Sequence, residues 1–530
     1  MNDQSPRVAV IGLGVLGVVA VKDLTEEGFD VTGFDRNSYV GGLWQYTDKD
    51  QTSVLPTTVV NISKERGCFT DLPYPDEIPS HCTAAQVQEY VESYVDHFNI
   101  RSKLRLSTTV SKVRRDDESD RWAVDVQGSG PEYFDKVIVA TGINIRPVIP
   151  KIEGLDQFEG EVLHSQAFKR PELFEGKRVL VVGLSNTGAD TCATLCGKAD
   201  KVWLSHRHGA IVLPRVLNGI AMDHTMTART MGTLGFLEAS FPRLYDYLFN
   251  LVCTKMQDKA FKIRPEWNLS PAPPIKHVLP IVSDNLVSLL ESGDIASVGG
   301  LKRVTGPKEV ELDDGTRLDA DTIIWCTGYQ SDFSLLDRSV DPTRNTTPEW
   351  DAVIGSRGKP LPRLYQNLFS LDHPKSLAYL GTIAFANGAF VANDLAAMAI
   401  AQIWKGNFPL PSIDEMNRAV DKQHEFVCDI AKEGSAVPGW LRQADWLTWV
   451  NKAAGTQVYE HLGWGWKAWK FWYQDRAFYK MLMDGIYTPF MWRVFDGRRK
   501  KWDGARAAIE KVNAEVAAAK VRAKNNKKTD

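Results

Sequence analysis

The chain is poor in cysteine, with seven in 530 residues and no CxxC pair. An odd, scattered set excludes a fully paired disulfide scaffold and a dithiol redox centre. Cys192 and Cys196 stand four apart on an expected helix, but the segment lacks the further ligands a zinc site needs, so buried reduced thiols are expected. Charge of one sign is also missing: 63 basic residues face 66 acidic ones, which gives no bulk attraction to nucleic acid. No window reaches about 18 uninterrupted apolar residues. The closest, Leu377 to Trp404, is broken by Asn387, Asn393 and Asp394. There is no GxSxG elbow and no HExxH metal motif. The polar stretch Met1 to Pro6 runs straight into Val8-Ala9-Val10-Ile11 and does not read as a signal peptide. A cytoplasmic protein is expected, with peripheral contact to a membrane surface left open.

What the chain does have is glycine placed between apolar runs. Val8 to Asp35 reads as strand, tight turn, helix, strand, with Gly12-Leu13-Gly14-Val15-Leu16-Gly17 at the turn. In such a loop the first glycine allows the turn, the second admits a pyrophosphate to the backbone, and the third lets helix and strand pack closely. The helix N-terminus then offers amide donors and a positive dipole end to phosphates. Asp35 ends the second strand, 23 residues after Gly12, where an acid accepts hydrogen bonds from ribose hydroxyls.

A second unit spans Lys177 to Arg207: strand Arg178 to Val182, turn Gly183-Leu184-Ser185-Asn186-Thr187-Gly188, helix Ala189 to Cys196 and strand Lys201 to Ser205. Here the strand leads into His206-Arg207-His208 with no acid. A carboxylate would repel a 2′-phosphate, whereas the Arg207 guanidinium can grip one with paired hydrogen bonds. The first loop thus suits FAD and the second NADPH, and two different dinucleotides in one chain point to electron relay.

Two more strands end alike, at Ala140-Thr141-Gly142 and at Cys326-Thr327-Gly328-Tyr329, each after a nucleotide loop. Asp313-Asp314-Gly315-Thr316 reads as a hairpin turn. Aromatics crowd between Tyr459 and Phe495, with Trp469, Trp472 and Tyr473 spaced for one helical face and Lys467, Lys470 and Lys480 interleaved. An interfacial surface and a core or channel wall both fit this stretch; a core or channel wall is expected.

Several ordered motifs now resemble the flavin-containing monooxygenases, the class B single-component enzymes. Gly41-Gly42-Leu43-Trp44 follows the ribose acid, Asn61-Ile62-Ser63-Lys64-Glu65 and Asp71-Leu72-Pro73-Tyr74-Pro75 come next, and the fingerprint FxGxxxHxxx(Y/F) stands as Phe158, Gly160, His164 and Phe168. Tyr487-Thr488-Pro489 and Trp502-Asp503-Gly504-Ala505-Arg506 close the match, which runs from about residue 6 to about residue 510. The chain departs from the family at Asp35 (usually Glu), at Cys326 (usually Ala), and at Ala392, Asp394 and Ala396 (usually Pro, Glu and Gln). A hydrophobic C-terminal anchor like that of the animal members is not expected, since Lys520, Arg522, Lys524, Lys527 and Lys528 give a basic tail instead.

The resemblance implies an α/β fold of two doubly wound dinucleotide-binding domains with a helical, aromatic-rich C-terminal segment. Its expected divisions are an FAD-binding domain in two parts, 1–170 and 331–510, an inserted NADPH-binding domain, 171–330, and a basic tail, 511–530. It implies a cycle in which NADPH reduces FAD, O2 gives a C4a-hydroperoxyflavin, and one oxygen atom passes to a small organic substrate. Such chemistry is carried by the cofactor and needs no protein nucleophile. The implied catalytic residue is Asn61, an uncharged donor near the flavin. The implied cofactor contacts are Gly12 to Gly17, Asp35, Gly42, Leu43, Trp44, Asn61, Ile62, Thr141, Gly142, Gly183, Ser185, Asn186, Thr187, Gly188, Arg207 and Gly328. His164 is implied to be a linker residue between the domains. N- or S-oxygenation is the family default. Baeyer–Villiger oxygenation of a ketone is disfavoured by Phe168-Lys169, where that class has Trp followed by Pro or Asp; hydroxylation of a natural-product intermediate is the other alternative. A disulfide reductase would need a redox cysteine pair, and intact loops argue against a non-catalytic scaffold.

Overall fold

A computed structural model describes residues 5–385 and 388–529, so Asn387 and the first four residues of the polar leader lie outside it. The run Val8 to Ile11 is apolar and uninterrupted, as a strand covered on both faces must be. It forms Arg7–Ile11 in a seven-stranded sheet ordered Leu364–Tyr365, Phe369–Ser370, Leu377–Tyr379, Lys136–Val139, Arg7–Ile11, Asp30–Phe34, Leu104–Arg105. The last five strands are parallel. A second, fully parallel sheet is ordered Ile295–Val298, Lys201–Ser205, Arg178–Val182, Thr322–Trp325, Glu161–His164.

Each sheet is interrupted by a three-stranded antiparallel meander. In the first these strands are Val110–Asp116, Arg121–Val126 and Gly130–Phe134; in the second, Leu301–Val304, Glu309–Leu312 and Arg317–Asp319. The turn at Asp313 to Thr316 joins two of these strands, with Gly315 at a φ of 84° and the Leu312 amide donating to the Thr316 carbonyl at 2.9 Å. The two crossings between the sheets pair with each other as a ribbon, Tyr329–Gln330 against Arg146–Pro147.

After this ribbon the chain returns to the first sheet, where Leu377–Tyr379 lies parallel to Lys136–Val139. The helix Ala389–Trp404 is buried almost throughout and packs on Val15–Glu26. An ion network locks the far C-terminal segment to the same helix. Lys22 pairs with Asp23 (2.9 Å) and Asp71, and Arg493 pairs with Asp23 (3.0 Å), Asp71 (3.0 Å) and Glu26 (3.2 Å). The side chains of Lys22, Asp23, Asp71 and Arg493 are buried. Removing one partner of such a buried set costs about 3–5 kcal/mol, because a charge is left uncompensated. All seven cysteines are free thiols, six of them buried, and burial pushes the Cys326 thiol up to about 12.

The aromatic stretch divides in two. Phe478, Tyr487, Phe490, Trp492 and Phe495 are core residues, as expected. Trp464, Trp466, Trp469 and Tyr473 are not: they stand exposed on and beside the short helix Trp466–Gln474. That helix turns Ala468 and Phe471 inward, so three- and four-residue spacing put the other aromatics on its outer side. No helix among the described residues is long and apolar enough to cross a membrane.

Candidate active site

The first glycine loop is closed by contacts that only glycine permits. Gly12 has a φ of 96°, and a Cβ there would sit 2.6 Å from the Ala140 carbonyl oxygen and 3.1 Å from the Thr141 Cα. A Cβ on Gly17 would be driven into the Gly12 carbonyl. Thr141 thus backs the turn directly, whereas Gly142 follows at a φ of 89° with open space where a Cβ would stand. Gly14 is the N-cap of the helix Val15–Glu26 and offers no side-chain cap, so the first-turn amides stay open to a ligand. Leu16 packs against Gly381. Across the loop lies the 3-10 turn Gly42–Trp44, where a Cβ on Gly42 would come within 3.0 Å of the Gly14 Cα. The Gly41 amide donates to the Leu13 carbonyl at 2.9 Å, and the Val54 amide to that of Leu43. Trp44 meets Phe390 edge to face.

Asp35 does more here than ribose binding requires. Its Oδ2 accepts the Leu13 amide at 2.7 Å and its Oδ1 the Asn37 amide at 2.8 Å. The carboxylate therefore ties the end of the second strand to the loop while keeping lone pairs for hydroxyl donors. Burial raises its pKa, and the two backbone amides oppose the shift.

The second loop repeats the plan. Gly183 has a φ of 124° and turns under the Cys326 carbonyl, and a Cβ on Gly188 would strike the Gly183 carbonyl. Ser185 is the N-cap of the helix Asn186–Leu195, which starts three residues earlier than expected, and its hydroxyl makes no cap. The Asn186 Oδ1 accepts the Val282 amide at 2.9 Å, and Thr187 is exposed. Arg207 is exposed and forms no ion pair with an acid among the described residues. Its charge reaches Arg357, whose guanidinium is held below its usual pKa first by burial and then by Arg207. Gly328 sits on the linker ribbon: its carbonyl accepts the Val148 amide at 3.0 Å and lies 3.1 Å from the His164 Nε2. The His164 Nδ1 accepts the Gln166 amide, so the ring is neutral with its proton on Nε2.

Asn61 lies where the two units meet. Arg215, from the second unit, donates to the carbonyls of Val59 (2.9 Å) and Val60 (3.1 Å) and to the Asn61 Oδ1 (2.9 Å), while Asp284 holds its other side at 3.0 Å. A guanidinium only donates, so the Asn61 amide must face it with its oxygen. The Nδ2 is left as a donor without a partner among the described residues. Ile62 packs towards Gly67 and Gly388. The Ser63 amide donates to Asp223 at 2.9 Å, and His224 meets Glu65 at 3.1 Å. Burial pushes Glu65 up, but hydrogen bonds from His224 and Ser80 outweigh it and leave its pKa below the usual carboxylate value. The buried Asp223 Oδ1, His224 Nδ1, Arg66 Nε and Ser63 Oγ have no hydrogen-bond partner among the described residues.

Arg215, Asp223 and His224 belong to no motif recognised in the sequence. The one available signal was Arg215 itself, a lone charge in the apolar run Ala210 to Leu217.

A model of the flavin-binding monooxygenase-like family matches residues 5–529. Monooxygenase aurF of Gibberella zeae is 44% identical over 516 residues, covering 96% of this chain and 98% of that protein. Human flavin-containing monooxygenase 3 is 30% identical over 434 residues, covering 79% and 77%. In fold, the chain resembles S-allyl-L-cysteine S-oxygenase from Allium sativum, with a TM-score of 0.61 at 19% identity over 96% of this chain and 99% of that one.

Proposed function

Because the chain belongs to the flavin-binding monooxygenase-like family, and so is an enzyme that uses FAD and NADPH, we propose that it oxygenates a nucleophilic nitrogen or sulfur of a small organic substrate. The observation that carries this reading is the junction itself. The group offered there is a neutral amide, Asn61, turned by Arg215 to donate through Nδ2. The nearby histidine is engaged with Glu65. An amine or a thioether attacks an electrophilic oxygen with its own lone pair and needs no base; a phenol needs one.

The residues fit both cofactors: two helix N-termini without side-chain caps and, opposite the first, the Gly14–Gly42 cradle that a Cβ would fill. FAD, reduced by NADPH, supplies the activation of O2. The first-turn amides after Gly14 and Ser185 bind the two pyrophosphates. Asp35 orients the ribose of one nucleotide and Arg207 grips the 2′-phosphate of the other. Asn61 hydrogen-bonds without carrying an acidic proton, which protects the activated oxygen from early loss as hydrogen peroxide.

The test is turnover under labelled O2 with a panel of amines, sulfides, ketones and phenols. One labelled oxygen on an amine or sulfide is the expected product. Conversion confined to a ketone, giving an ester, or to a phenol overturns the nitrogen or sulfur reading.

A further inference from the structure

The helix Trp466–Gln474 carries an apolar face that nothing among the described residues covers. Trp464 is 95% exposed, Trp466 79%, Trp469 57% and Tyr473 84%. Residues 466, 469 and 473 fall at i, i+3 and i+7, a single stripe along the helix. The opposite side is fully engaged: Ala468 is buried, and the Phe471 ring packs against Phe478, Tyr479 and Phe495 at 5.2–6.3 Å. The helix is therefore held in place by its inner face and presents two indoles and a phenol outward, with the Trp464 indole exposed just before it.

The charges around the stripe are of one sign. Lys467, Lys470, Arg476 and Lys480 have no acidic partner among the described residues, whereas the two acids of this helix and the next are neutralised, Asp475 by Arg506 and Asp484 by Arg229, each at 2.6 Å. Beside the helix a cavity of about 540 Å³ is walled by Lys467, Lys470, Lys501 and Arg506 over Phe471 and Trp502, with Asp503 as its one acid.

We propose that this face is a docking surface for anionic lipid bilayers. Indole and phenol rings settle at the boundary between headgroups and acyl chains, and interleaved lysines are drawn to anionic headgroups. Nine residues of helix span about 14 Å, under half the hydrocarbon thickness, so the segment lies along the surface rather than crossing it. A second copy of the chain is a poor occupant, since a two-fold contact would bring four unpaired cations against the same four. The proposal does not depend on which substrate is oxygenated.

The flavin-loaded protein is sedimented with vesicles of phosphatidylcholine alone and of phosphatidylcholine with a quarter phosphatidylserine. Binding to the mixed vesicles, about tenfold or more above the neutral ones and weakened in 0.5 M salt, is the expected result. The triple variant W464A/W466A/W469A and the charge variant K467E/K470E should each lose about tenfold in binding while keeping bound flavin and NADPH oxidation. Equal binding to both vesicle types, undiminished binding by both variants, or absence of binding overturns the proposal. So does a concentration-dependent dimer that the tryptophan variant abolishes without any vesicle binding.

Discussion

In the first nucleotide unit Gly12 turns under the carbonyl of Ala140; in the second Gly183 turns under that of Cys326. The Gly12 amide bonds to Phe34 at 2.8 Å and the Gly183 amide to Ser205 at 3.0 Å, each at the end of the neighbouring strand. Gly17 and Gly188 press their helices onto the carbonyls of the turns in the same way. The units part company one residue past the second strand. In one, Asp35 bonds back to the loop through the Leu13 amide. In the other, buried His206 bonds to Ser297 at 2.8 Å and Arg207 stands free of the loop. The two loops share their backbone geometry and differ in the side chain that follows each second strand, Asp35 in one and Arg207 in the other, which under the proposed function tells the two nucleotides apart.

The comparison breaks most severely if the two loops are not separable. Gly17→Ala forces a Cβ into a backbone carbonyl that has nowhere to go, an overpacking cost of about 1–3 kcal/mol concentrated at the first loop, the proposed FAD site. It should yield protein with little bound flavin, measured by absorbance of the purified protein. Gly188→Ala makes the same clash in the second unit and should leave flavin bound while NADPH-driven reduction falls by about two orders of magnitude. Flavin loss from Gly188→Ala and retention in Gly17→Ala would reverse the assignment of the units.

Next comes Arg207, the residue proposed to separate the nucleotides. A charge-assisted hydrogen bond is worth about 1.5–3 kcal/mol, so Arg207→Ala should raise the KM for NADPH by roughly 10- to 100-fold. NADH has no 2′-phosphate, and its KM should hardly move. Equal changes for both remove Arg207 from that role. At the junction the expected effect is smaller. Asn61→Ala deletes the Nδ2 donor, whose one neutral hydrogen bond is worth about 1 kcal/mol, together with the Oδ1 that anchors it to Arg215, so hydrogen peroxide released per NADPH should rise about fivefold while flavin reduction by NADPH persists. Unchanged coupling would show that Asn61 does not protect the activated oxygen.

The glycine units were legible because their signals are local. Strands Asp30–Phe34, Arg178–Val182 and Lys201–Ser205 fall where apolar runs end in glycine or polar residues. What could not be read is what the fold brings from afar. Arg215 reaches Asn61 across 154 positions and Arg493 reaches Asp23 across 470, and no spacing rule connects such pairs. The exposed tryptophans failed for a related reason: the helix of Trp466 is amphipathic, but both of its faces are aromatic, so periodicity alone could not say which one the core would take. The strand Glu161–His164 shows the same limit, since only pairing with Thr322–Trp325 places it in the second sheet.

The subtlest difference between the units lies at the fifth residue of each helix, seven positions after the first glycine of its loop. The first has Val19, fully buried; the second has Asp190, partly buried, with a pKa raised to about 6 by burial against the opposing pull of Arg215. The folded protein therefore holds this proton more tightly than the unfolded chain, whose Asp titrates near 3.8. Below that value both states are protonated and Asp190 costs nothing. As pH rises from about 4 to 6 the unfolded chain ionises first and stability is lost, reaching a constant penalty of at most about 3 kcal/mol above it. Asp190→Asn removes the ionisation and should raise the melting temperature by a few degrees at pH 7.5 and by almost nothing at pH 4. A gain of the same size at both values would mean that the side chain's shape, not its charge, sets the second helix apart from the first.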